Sequence, residues 1–549
     1  MSIRYTFGIC AMLLVGFSSC IRPPTGGSAR EWRPFYEDGR WERDTTAWIG
    51  GGTESRHTAD GLLVADTSTQ KDSGHMYMLN WHADPAKGAA IEACVRVVSC
   101  SAPYGVSMMA ADGIHEESLT IYPNRLQLEN AKLSVDFDAA GGFHTYRLVI
   151  KGVDVRLFVD GKLMVDASGK FTSPALSTPP RNQCGFGCGS SAATGEAIWQ
   201  WVKFQSDLPA RVMPARPEIP GLAVNIGETI ELIPGATYVS MFKFRDGRLV
   251  VGGKHSSDGG KTWTNGPGLG VGAFEFTDGE IISPGFNTHL VSNGVFEVPL
   301  ARSTNGGRTF QNEQARLNIP EATGGTGDDG KRYEGPPVDH AVIQLRDGSL
   351  LMAMYGYFKT DTVLCPAFPP EWKLYKYRNW VMRSTDRGRT WNYLATVAYD
   401  PEVGAESFCE ADLLTLPGGD ILCFMRTGGN PPKYTTPLYM NVSKDDGKTW
   451  SKPVPIADRG VWPNACRMES GVLALTYGRP DNWLAFSLDD GKTWAGHLCF
   501  YEGPTSSYNT IEEIAPGKLF VVYDRRSLNA DGKLSSGIVG TYVTVQRQK

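Results

Sequence analysis

The chain has 549 residues, a formal net charge of −5, 41% hydrophobic residues and 21% charged residues. A chain of this length is expected to bury more than one core, and its composition excludes an intrinsically disordered protein. The small negative charge and the lack of Lys/Arg-rich runs give no reason to expect nucleic acid as a partner, and 63 glycines, 34 prolines and 14 tryptophans favour an all-β protein with many turns.

The first twenty residues are typical of an export signal. Arg4 supplies a positive charge, and the apolar run that follows it is too short to span a membrane. The run ends in Phe17-Ser-Ser-Cys20, which resembles a bacterial lipobox, so Cys20 is the predicted site of lipidation. An ordinary secretory signal cleaved nearby is the alternative. We therefore expect an exported lipoprotein at the outer membrane or cell surface, or else a periplasmic or secreted protein, with no membrane attachment beyond the lipid.

Residues 30–207 show the alternation of apolar and polar residues that predicts β-strands. The segments Tyr146–Ile150 and Val155–Val159 alternate in this way, and Asp160-Gly161 then predicts a hairpin turn. This run resembles the concanavalin-like jelly rolls of lectins and laminin-G modules, which implies an N-terminal β-sandwich. The sandwich is interpreted either as a carbohydrate-binding module or as a domain that only packs beside the next one.

Residues 208–220 are rich in proline and predict a linker, and residues 221–549 are repetitive. Two elements repeat in this part: an eight-residue box, Ser-x-Asp-x-Gly-x-Thr-Trp, and an apolar strand–turn–strand unit. Five boxes begin at Ser256, Ser303, Ser384, Ser443 and Ser487, with Asn305 and Phe310 as departures. The turn glycines of the second element are Gly247, Gly279, Gly348, Gly419, Gly471 and Gly517. Six such units predict a six-bladed β-propeller.

The box resembles the Asp-box of the sialidase (neuraminidase) superfamily, also called the BNR repeat. Its Ser and Asp can bond the turn's own backbone N–H groups, and its Trp can bury a large apolar face. A catalytic residue has no need to occur five times, so the box is predicted to be a scaffold element. Since such propellers also occur in proteins that only bind, the fold does not fix the function.

The turn glycines also predict which side chains line the central funnel of the propeller. Nine residues before them stand Tyr238, Asp339, Glu410, Trp462 and Tyr508 in five of the six units. Seven or eight residues after them stand, among others, Lys254, Arg426, Arg479 and Arg525. Acidic, phenolic and cationic groups that converge on one concavity predict a functional site.

The resemblance to sialidases implies roles for four of these positions. Glu410, Arg426 and Arg479 stand in the fourth and fifth blades, and Tyr508 in the sixth, where the family has the same residue types in the same order. Tyr508 would be the nucleophile and Glu410 the base that takes its proton, because a neutral phenol suits an anomeric carbon that carries a carboxylate. Arg426 and Arg479 would hold that carboxylate through forked hydrogen bonds.

Two departures from the family pattern leave the substrate open. Thr237 and Tyr238 stand where the family has a third arginine, so Arg525 is the candidate replacement, with its neighbour Arg526 as the alternative. The loop that supplies the family's acid has only Lys254 and His255, so Asp339 is the predicted general acid. The alternative is that Asp339 only caps the strand that it enters. Tyr238, His255 and Trp462 are further candidate substrate contacts.

The sequence therefore predicts an exo-acting, retaining sialidase-like glycosidase that needs no metal or cofactor. Its expected partners are sialylated or other acidic glycans. The alternatives are a glycosidase for another acidic sugar and a non-catalytic, glycan-binding propeller with a lectin-like sandwich. Release of sialic acid from sialyllactose, against tight glycan binding without product, separates these functions.

Overall fold

The computed structural model describes residues 31–548 except 71–72, 178–179, 189–191, 208–216, 239, 327–331, 334, 367, 369 and 430–434. The predicted signal segment with Cys20, and most of the predicted linker at 208–220, lie outside the described residues. The described residues form two compact units, one of residues 31–207 with 526–535 and one of residues 217–525 with 536–548. Across these ranges the secondary structure is strand, apart from one 3₁₀ turn at Pro370–Trp372, and no helix is long and apolar enough to cross a membrane.

The first unit is a sandwich of two antiparallel sheets. Its strands are β1 Arg33–Glu37, β2 Arg40–Trp41, β3 Thr46–Ile49, β4 Thr53–Thr58, β5 Gly61–Asp66, β6 His75–Asn80, β7 Ala89–Cys100, β8 Val106–Ala111, β9 Glu116–Tyr122, β10 Arg125–Leu128, β11 Leu133–Asp136, β12 His144–Lys151, β13 Asp154–Val159, β14 Lys162–Ala167, β15 Gln183–Cys188 and β16 Gly195–Gln205. One sheet runs β14-β13-β12-β7-β16-β1-β2, with β5 and β4 continuing from β16, and the other runs β11-β10-β9-β8-β15-β6-β3.

The two sheets enclose one apolar core, to which alternate residues of each strand contribute. Trp199 and Tyr146 come from the first sheet, Phe186 and Tyr77 from the second, and all four are fully buried. The predicted hairpin is confirmed: β12 pairs with β13, and Asp160 (φ 49°) and Gly161 (φ 79°) make the turn into β14. Whether the sandwich binds carbohydrate stays a prediction.

Residues 526–535 complete the sandwich unit from the far end of the chain. The indole N–H of Trp41 donates to the Asn529 carbonyl at 2.8 Å, and the Tyr77 hydroxyl donates to the Gly532 carbonyl at 3.1 Å. The backbone N–H of His57 donates to Asp531 at 2.8 Å.

The nine cysteines between residues 94 and 499 are all free thiols, so the neighbouring pairs Cys94/Cys100 and Cys184/Cys188 form no disulfides.

The second unit is built from six four-stranded antiparallel sheets, two of which are joined, with three further strands, into one eleven-stranded sheet. Its strands are β17 Leu222–Pro234, β18 Met241–Lys243, β19 Leu249–Val251, β20 Lys254–Ser256, β21 Thr264–Asn265, β22 Phe274–Glu275, β23 Ile281–Pro284, β24 His289–Ser292, β25 Val295–Ser303, β26 Gln311–Asn318, β27 Ala322–Thr326, β28 Arg332–Tyr333, β29 Val338–Gln344, β30 Leu350–Phe358, β31 Arg378–Ser384, β32 Thr390–Ala398, β33 Cys409–Thr415, β34 Ile421–Arg426, β35 Leu438–Ser443, β36 Val454–Ala457, β37 Val461–Arg467, β38 Leu473–Gly478, β39 Asn482–Ser487, β40 Ala495–Tyr501, β41 Thr510–Ala515, β42 Lys518–Leu528 and β43 Leu534–Arg547.

These sheets are the six blades of a propeller, as the sequence predicts. Blade 1 is β18–β21, blade 2 is β22-β23-β25-β26, blade 3 is β29–β32, blade 4 is β33–β36, blade 5 is β37–β40, and blade 6 is β41-β42-β43-β17. In blade 6 the outermost strand, β17, comes from the N-terminal side of the unit, which closes the ring. Blades 2 and 3 are joined at their outer edges, where β26 pairs in parallel with β32.

The Asp-boxes are scaffold turns, as predicted. Each box links the third and fourth strands of a blade, and in blade 1 the Ser256 hydroxyl donates to Asp258 at 2.8 Å. Asp258 also accepts the Thr262 N–H at 2.9 Å and its hydroxyl at 2.6 Å, while Ser256 accepts the Gly260 N–H at 2.9 Å. The Trp263 indole donates to the Gly260 carbonyl at 2.7 Å. The polar groups of the box therefore bond one another and the turn itself.

A chain of side-chain clasps joins the innermost strands of consecutive blades. In each clasp a polar side chain of one inner strand accepts a backbone N–H from the next blade. The pairs are Asp339 with Ala411, Asp412 with Ala465 at 2.7 Å, Asn464 with Ile511 at 2.8 Å, and Thr510 with Met241 at 3.1 Å. Because a buried N–H without an acceptor is unfavourable, these clasps fix the inner strands of blades 3, 4, 5, 6 and 1 relative to one another.

Candidate active site

Tyr508 and Glu410 form the centre of the candidate site. The Tyr508 hydroxyl donates to Glu410 Oε1 at 2.7 Å, although the two residues are 98 positions apart in the chain. Glu410 enters from the inner strand of blade 4, and Tyr508 from the segment just before the inner strand of blade 6. Since Glu410 is buried and Tyr508 is partly exposed, the phenol lies on the accessible side of the pair.

Unusual backbone conformations direct three of the funnel side chains. Glu410 (φ 31°), Trp462 (φ 47°) and Tyr238 (φ 57°) all lie in the left-handed region, which L-residues rarely adopt. Glu410 and Trp462 also stand at irregularities in the pairing of their inner strands. Such bulges turn a side chain away from the regular face of a sheet. They therefore explain how these residues leave the inner strands and approach Tyr508.

Two aromatic rings hold the ring of Tyr508. Trp462 stacks obliquely on it with a centroid distance of 4.4 Å, and Tyr238 meets it edge to face at 4.9 Å. Trp462 is buried, whereas Tyr238 is 47% exposed. Aromatic contacts of this geometry contribute about 0.5–1.5 kcal/mol each beyond area burial. The ring of Tyr508 is therefore fixed from two sides, with Tyr238 at the exposed rim of the site.

Arg426 holds Glu410 in its ionised form. The Arg426 guanidinium donates to Glu410 Oε1 at 2.6 Å, to Glu406 at 3.1 Å and to the Gly428 carbonyl at 2.7 Å, so each of its three nitrogens bonds a protein oxygen. Burial alone would raise the pKa of Glu410, but Arg426, the Tyr508 hydroxyl and Arg479 together outweigh it, and the pKa lies below its usual value. Glu410 is therefore poised to accept a proton from Tyr508.

Arg479 is the second buried cation of the site. Its Nε and Nη2 donate to the Ser506 carbonyl at 3.2 and 2.5 Å, two residues before Tyr508. Its charge helps to lower the pKa of Glu410. Both predicted arginines therefore lie at the Tyr508–Glu410 pair, where their guanidinium groups bond the protein itself.

Tyr355 lies near the Tyr508–Glu410 pair. Burial raises the pKa of Tyr355 well above its usual value, and the nearby Glu410 and Tyr508 raise it further. The Tyr355 ring meets that of Tyr377 edge to face at 5.3 Å. Tyr355 is therefore a neutral phenol, and its position seven residues after a turn glycine is the one the sequence indicates for the funnel.

Asp339 is placed differently from Glu410 although the sequence gives the two the same offset from a turn glycine. It is fully buried, and its carboxylate accepts the N–H of Ala411, the residue after Glu410. The inner strand of blade 3 has a larger irregularity than that of blade 4, between Val338 and Val342. This difference puts Asp339 at a clasp between blades, next to the base, and supports a role in holding Glu410.

Three other predicted residues have no described contact with the Tyr508–Glu410 pair. His255 and Lys254 are in the third strand of blade 1, because the second strand ends early at Val251, and His255 Nε2 donates to the Pro267 carbonyl at 2.7 Å. The Arg525 side chain is 47% exposed and pairs with Glu231 at 3.7 Å. A role for Arg525 in place of the third arginine stays a prediction.

Glu406 and Asp524 are site residues that the sequence reasoning missed. Glu406 is buried and pairs with Arg426. Asp524 is buried and bonds the segment that leads to Tyr508. The sequence does indicate Asp524, since it stands seven residues after Gly517, just as Arg426 stands seven after Gly419.

No group of three or more His, Cys, Asp or Glu side chains in the described part of the chain is arranged to hold a metal ion.

The comparison with protein families agrees with the repeats of the second unit. Residues 283–521 match the family model described as BNR repeat-like domain. No curated protein matches the chain. Among solved structures, a protein of unknown function from Dyadobacter fermentans is similar at 20% identity and a TM-score of 0.44, covering 60% of this chain and 100% of that one.

Two glycosidases are among the other similar structures. The NanB sialidase of Streptococcus pneumoniae has 12% identity and a TM-score of 0.38, covering 84% of this chain and 95% of its own. The α-L-arabinofuranosidase Arb93A of Fusarium graminearum has 14% identity and a TM-score of 0.42, covering 58% and 98%. Likeness at this level gives no information about the substrate of this chain, which must be argued from its own site.

Proposed function

We propose that the protein is a retaining, exo-acting glycoside hydrolase in which Tyr508 is the nucleophile and Glu410 its general base. The single observation that carries the proposal is the 2.7 Å hydrogen bond from the Tyr508 hydroxyl to a buried carboxylate whose pKa is lowered. A tyrosine has a pKa of about 10 and attacks poorly unless a base removes its proton. Glu410 meets that need at hydrogen-bonding distance.

The reaction has two steps in this proposal. As the Tyr508 oxygen bonds the anomeric carbon, its proton passes to Glu410 and the glycosidic bond breaks toward the leaving oxygen, which takes a proton from an acid. Water then attacks the same carbon from the side of the departed group and gives a proton to the conjugate base of that acid. The Tyr508 oxygen leaves and takes its proton back from Glu410, so that two inversions leave the configuration retained. The sequence offers two candidates for this acid, Asp339 and His255. Asp339 is buried at a clasp, where it accepts the Ala411 N–H, and this placement does not support its role as the acid.

We propose sialic acid, or another sugar with a carboxylate on its anomeric carbon, as the substrate class. Arg426 and Arg479 support this choice, because they bring two buried positive charges to the nucleophile. A neutral phenol avoids the repulsion that a carboxylate nucleophile would meet. Incubation with sialyllactose and with an aryl sialoside tests the proposal, and failure to release sialic acid from both would contradict this choice of substrate.

A second candidate is a glycosidase for a sugar without that carboxylate. Two observations favour it: the nitrogens of Arg426 are all bonded to protein oxygens, and Tyr238 occupies the place of a third arginine. A panel of aryl glycosides, including uronides and arabinofuranosides, separates the two candidates. Turnover of one of these with no turnover of a sialoside would move the substrate class while leaving the Tyr508–Glu410 pair in its role.

We also propose that the protein is exported and anchored by a lipid on Cys20. The support is the sequence of the first twenty residues alone. Metabolic labelling with a radioactive fatty acid should mark the wild-type protein and not the Cys20→Ser variant. Equal labelling of both would contradict the anchor, and an unlabelled but exported wild type would indicate an ordinary secretory signal.

A further inference from the structure

We propose that Asp524 is a positioning residue for the nucleophile, acting through the Ser506 peptide. This inference rests on the proposed function of Tyr508. It assigns to one buried carboxylate the task of fixing two groups of the site, the backbone that carries Tyr508 and the guanidinium of Arg479. Asp524 lies in β42, the second strand of blade 6, one residue before the exposed Arg525.

Asp524 bonds the segment before Tyr508 through several donors at once. Its Oδ1 accepts the N–H of Ser506 at 3.0 Å and the hydroxyl of Thr505 at 3.1 Å, and Oδ2 accepts the same Ser506 N–H at 3.2 Å. The hydroxyl of Ser506 also donates to Oδ1. Asp524, Thr505 and Ser506 are all buried. A carboxylate that accepts several hydrogen bonds away from water holds its donors tightly, because each donor would be costly to leave unpaired.

Ser506 in turn bonds both Tyr508 and Arg479. Its hydroxyl oxygen accepts the backbone N–H of Tyr508 at 3.3 Å, and its carbonyl oxygen accepts two hydrogen bonds from Arg479. The Ser506 residue therefore lies between a buried anion, Asp524, and a buried cation, Arg479. Its N–H donates to the anion and its carbonyl accepts from the cation, so each of the two peptide groups that flank Ser506 turns its favourable end toward the charge that it faces.

The neighbouring residue shows that this segment is held in an unfavourable backbone conformation. Ser507 has φ of 62°, and its N–H donates to the Thr505 hydroxyl at 2.9 Å while its own hydroxyl donates to the Asp481 carbonyl at 3.1 Å. A serine in the left-handed region persists only where its surroundings fix it. The bonds from Asp524 to Thr505 and Ser506 supply much of that fixation. Without them, Tyr508 would no longer be held at Glu410.

The variant Asp524→Asn tests the inference with almost no change in shape. An amide can keep its oxygen at the Oδ1 position, but its NH₂ group then stands at the Oδ2 position, which accepts the Ser506 N–H at 3.2 Å, so two donors face each other there. We expect a folded protein whose kcat falls by about 100-fold, because a displacement of about 1 Å at a reacting group has an effect of that size. Its crystal structure should show the Tyr508 oxygen more than about 3.5 Å from Glu410 Oε1, beyond hydrogen-bonding distance.

The matched control is Asp112→Asn in the sandwich unit. Asp112 is also buried and accepts two backbone N–H groups, from Ile114 at 2.9 Å and from His115 at 2.7 Å. Its loss should leave kcat within about twofold of wild type. A folded Asp524→Asn variant that keeps kcat within about threefold of wild type, or that keeps the bond between Tyr508 and Glu410 in its crystal structure, would overturn the inference.

A second variant covers the case in which Asp524→Asn does not fold. Ser506→Ala removes only the hydroxyl that Asp524 and the Tyr508 N–H share, and it changes no charge. If Tyr508 moves away, Glu410 loses a hydrogen bond that lowers its pKa, so the acid limb of kcat/KM should move to higher pH. A defect that only reduces the number of folded molecules would scale the profile without shifting it. An unchanged kcat and an unshifted limb would overturn the inference.

The wild-type measurement separates this inference from the proposed function. If wild-type protein hydrolyses no glycoside, the proposed function fails, and the Tyr508–Glu410 distance in the two variant crystal structures decides the inference alone. If wild type is active and both folded variants are equally active, the proposed function stands and the inference fails.

Discussion

The Tyr508 hydroxyl lies 2.7 Å from Glu410 Oε1, and the same carboxylate oxygen lies 2.6 Å from Arg426. A phenol and a guanidinium thus share one buried acceptor. The arrangement explains why a glutamate in a low-dielectric site keeps its charge, because both donors favour the ionised form. It also gives the phenol a base that is ready to take its proton.

Glu410 should be ionised over the whole neutral range. Its pKa is lowered, so the acid limb of kcat/KM should lie below pH of about 4.3, the usual pKa of a glutamate. Glutamine at this position cannot act as a base, and Glu410→Gln should reduce kcat by about 100-fold or more. A limb above pH 6 in the wild type would indicate that another group is the base.

The same lowered pKa has a consequence for stability. A carboxyl whose pKa is lower in the folded than in the unfolded state stabilises the fold above its unfolded pKa, and that contribution is lost as pH falls through the folded value. The difference in Tm between wild type and Glu410→Gln should therefore shrink as pH is lowered below about 4.3. Thermal unfolding from pH 7 to pH 3 measures it, and a difference that grows toward acid would contradict the assignment.

Much of this architecture is readable from the sequence, because repeats carry it. Five boxes and six turn glycines give the number of blades, and a count of nine residues brings Tyr238, Glu410, Trp462 and Tyr508 together across more than 250 positions. The count works wherever the inner strands have similar geometry. Since Tyr238 and Trp462 both touch the Tyr508 ring, the prediction that these positions converge is met in space.

The residues that the count misplaced show its physical limit. The count registers distance along the sequence and takes no account of bulges. It therefore gives Asp339 the same offset as Glu410, although the strand irregularity between Val338 and Val342 turns Asp339 to the Ala411 N–H of the next blade. The count also selects Arg525 and not Asp524. Adjacent residues of a strand point to opposite faces of the sheet, so an error of one residue in the count selects a side chain on the wrong face. The count also selects Lys254, which lies in the third strand of blade 1 because the second strand is short.

Asp339→Asn should separate an acid from a clasp. A general acid matters for natural glycosides and little for aryl glycosides, whose leaving groups need little protonation. A clasp that fixes Ala411, and through it Glu410, matters equally for both. Asp339 is fully buried and accepts the Ala411 N–H. We therefore expect kcat to fall by a similar factor, on the order of tenfold or more, for the two substrates. A loss confined to natural glycosides would restore the acid role.

Asp412 should make the propeller less stable as pH rises. Burial raises its pKa to about 8, although its oxygen accepts the Ala465 N–H. A carboxyl with a raised folded pKa binds its proton more tightly in the folded state, so stability falls as pH rises from its unfolded value toward 8. The Asp412→Asn variant lacks that carboxyl, and Asn464 shows that an amide makes the same clasp in blade 5.

The Tm of Asp412→Asn relative to wild type should therefore increase between pH 5 and pH 8.5, by on the order of 2 °C or more. Thermal unfolding of both proteins across that range is the measurement. A constant difference would mean that Asp412 is ionised throughout. The activity of the two proteins at pH 7 serves as the control that the site is intact.

Arg479 and Arg525 should differ sharply although both stand eight residues after a turn glycine. Arg479→Lys keeps a positive charge but cannot hold the Ser506 carbonyl with two nitrogens, so KM for an acidic sugar should rise about tenfold, a change of about 1.4 kcal/mol. Arg525 is exposed and pairs with Glu231 at 3.7 Å, a type of contact worth about 0–1 kcal/mol. Arg525→Lys should change KM by less than about twofold. Equal effects of the two variants would contradict the placement of Arg525 outside the site.

The role of Tyr508 is tested most directly by trapping the glycosyl–enzyme bond. The wild type would be inactivated with a fluorinated analogue of the sugar that it releases, beginning with a fluorinated sialic acid, and digested for peptide mass spectrometry. We expect one added sugar on the peptide that contains Tyr508, and none on a folded Tyr508→Phe variant, which lacks only the phenolic oxygen and should lose at least about 100-fold in kcat. A trapped sugar on any other residue, or equal trapping by the Tyr508→Phe variant, would contradict the proposal.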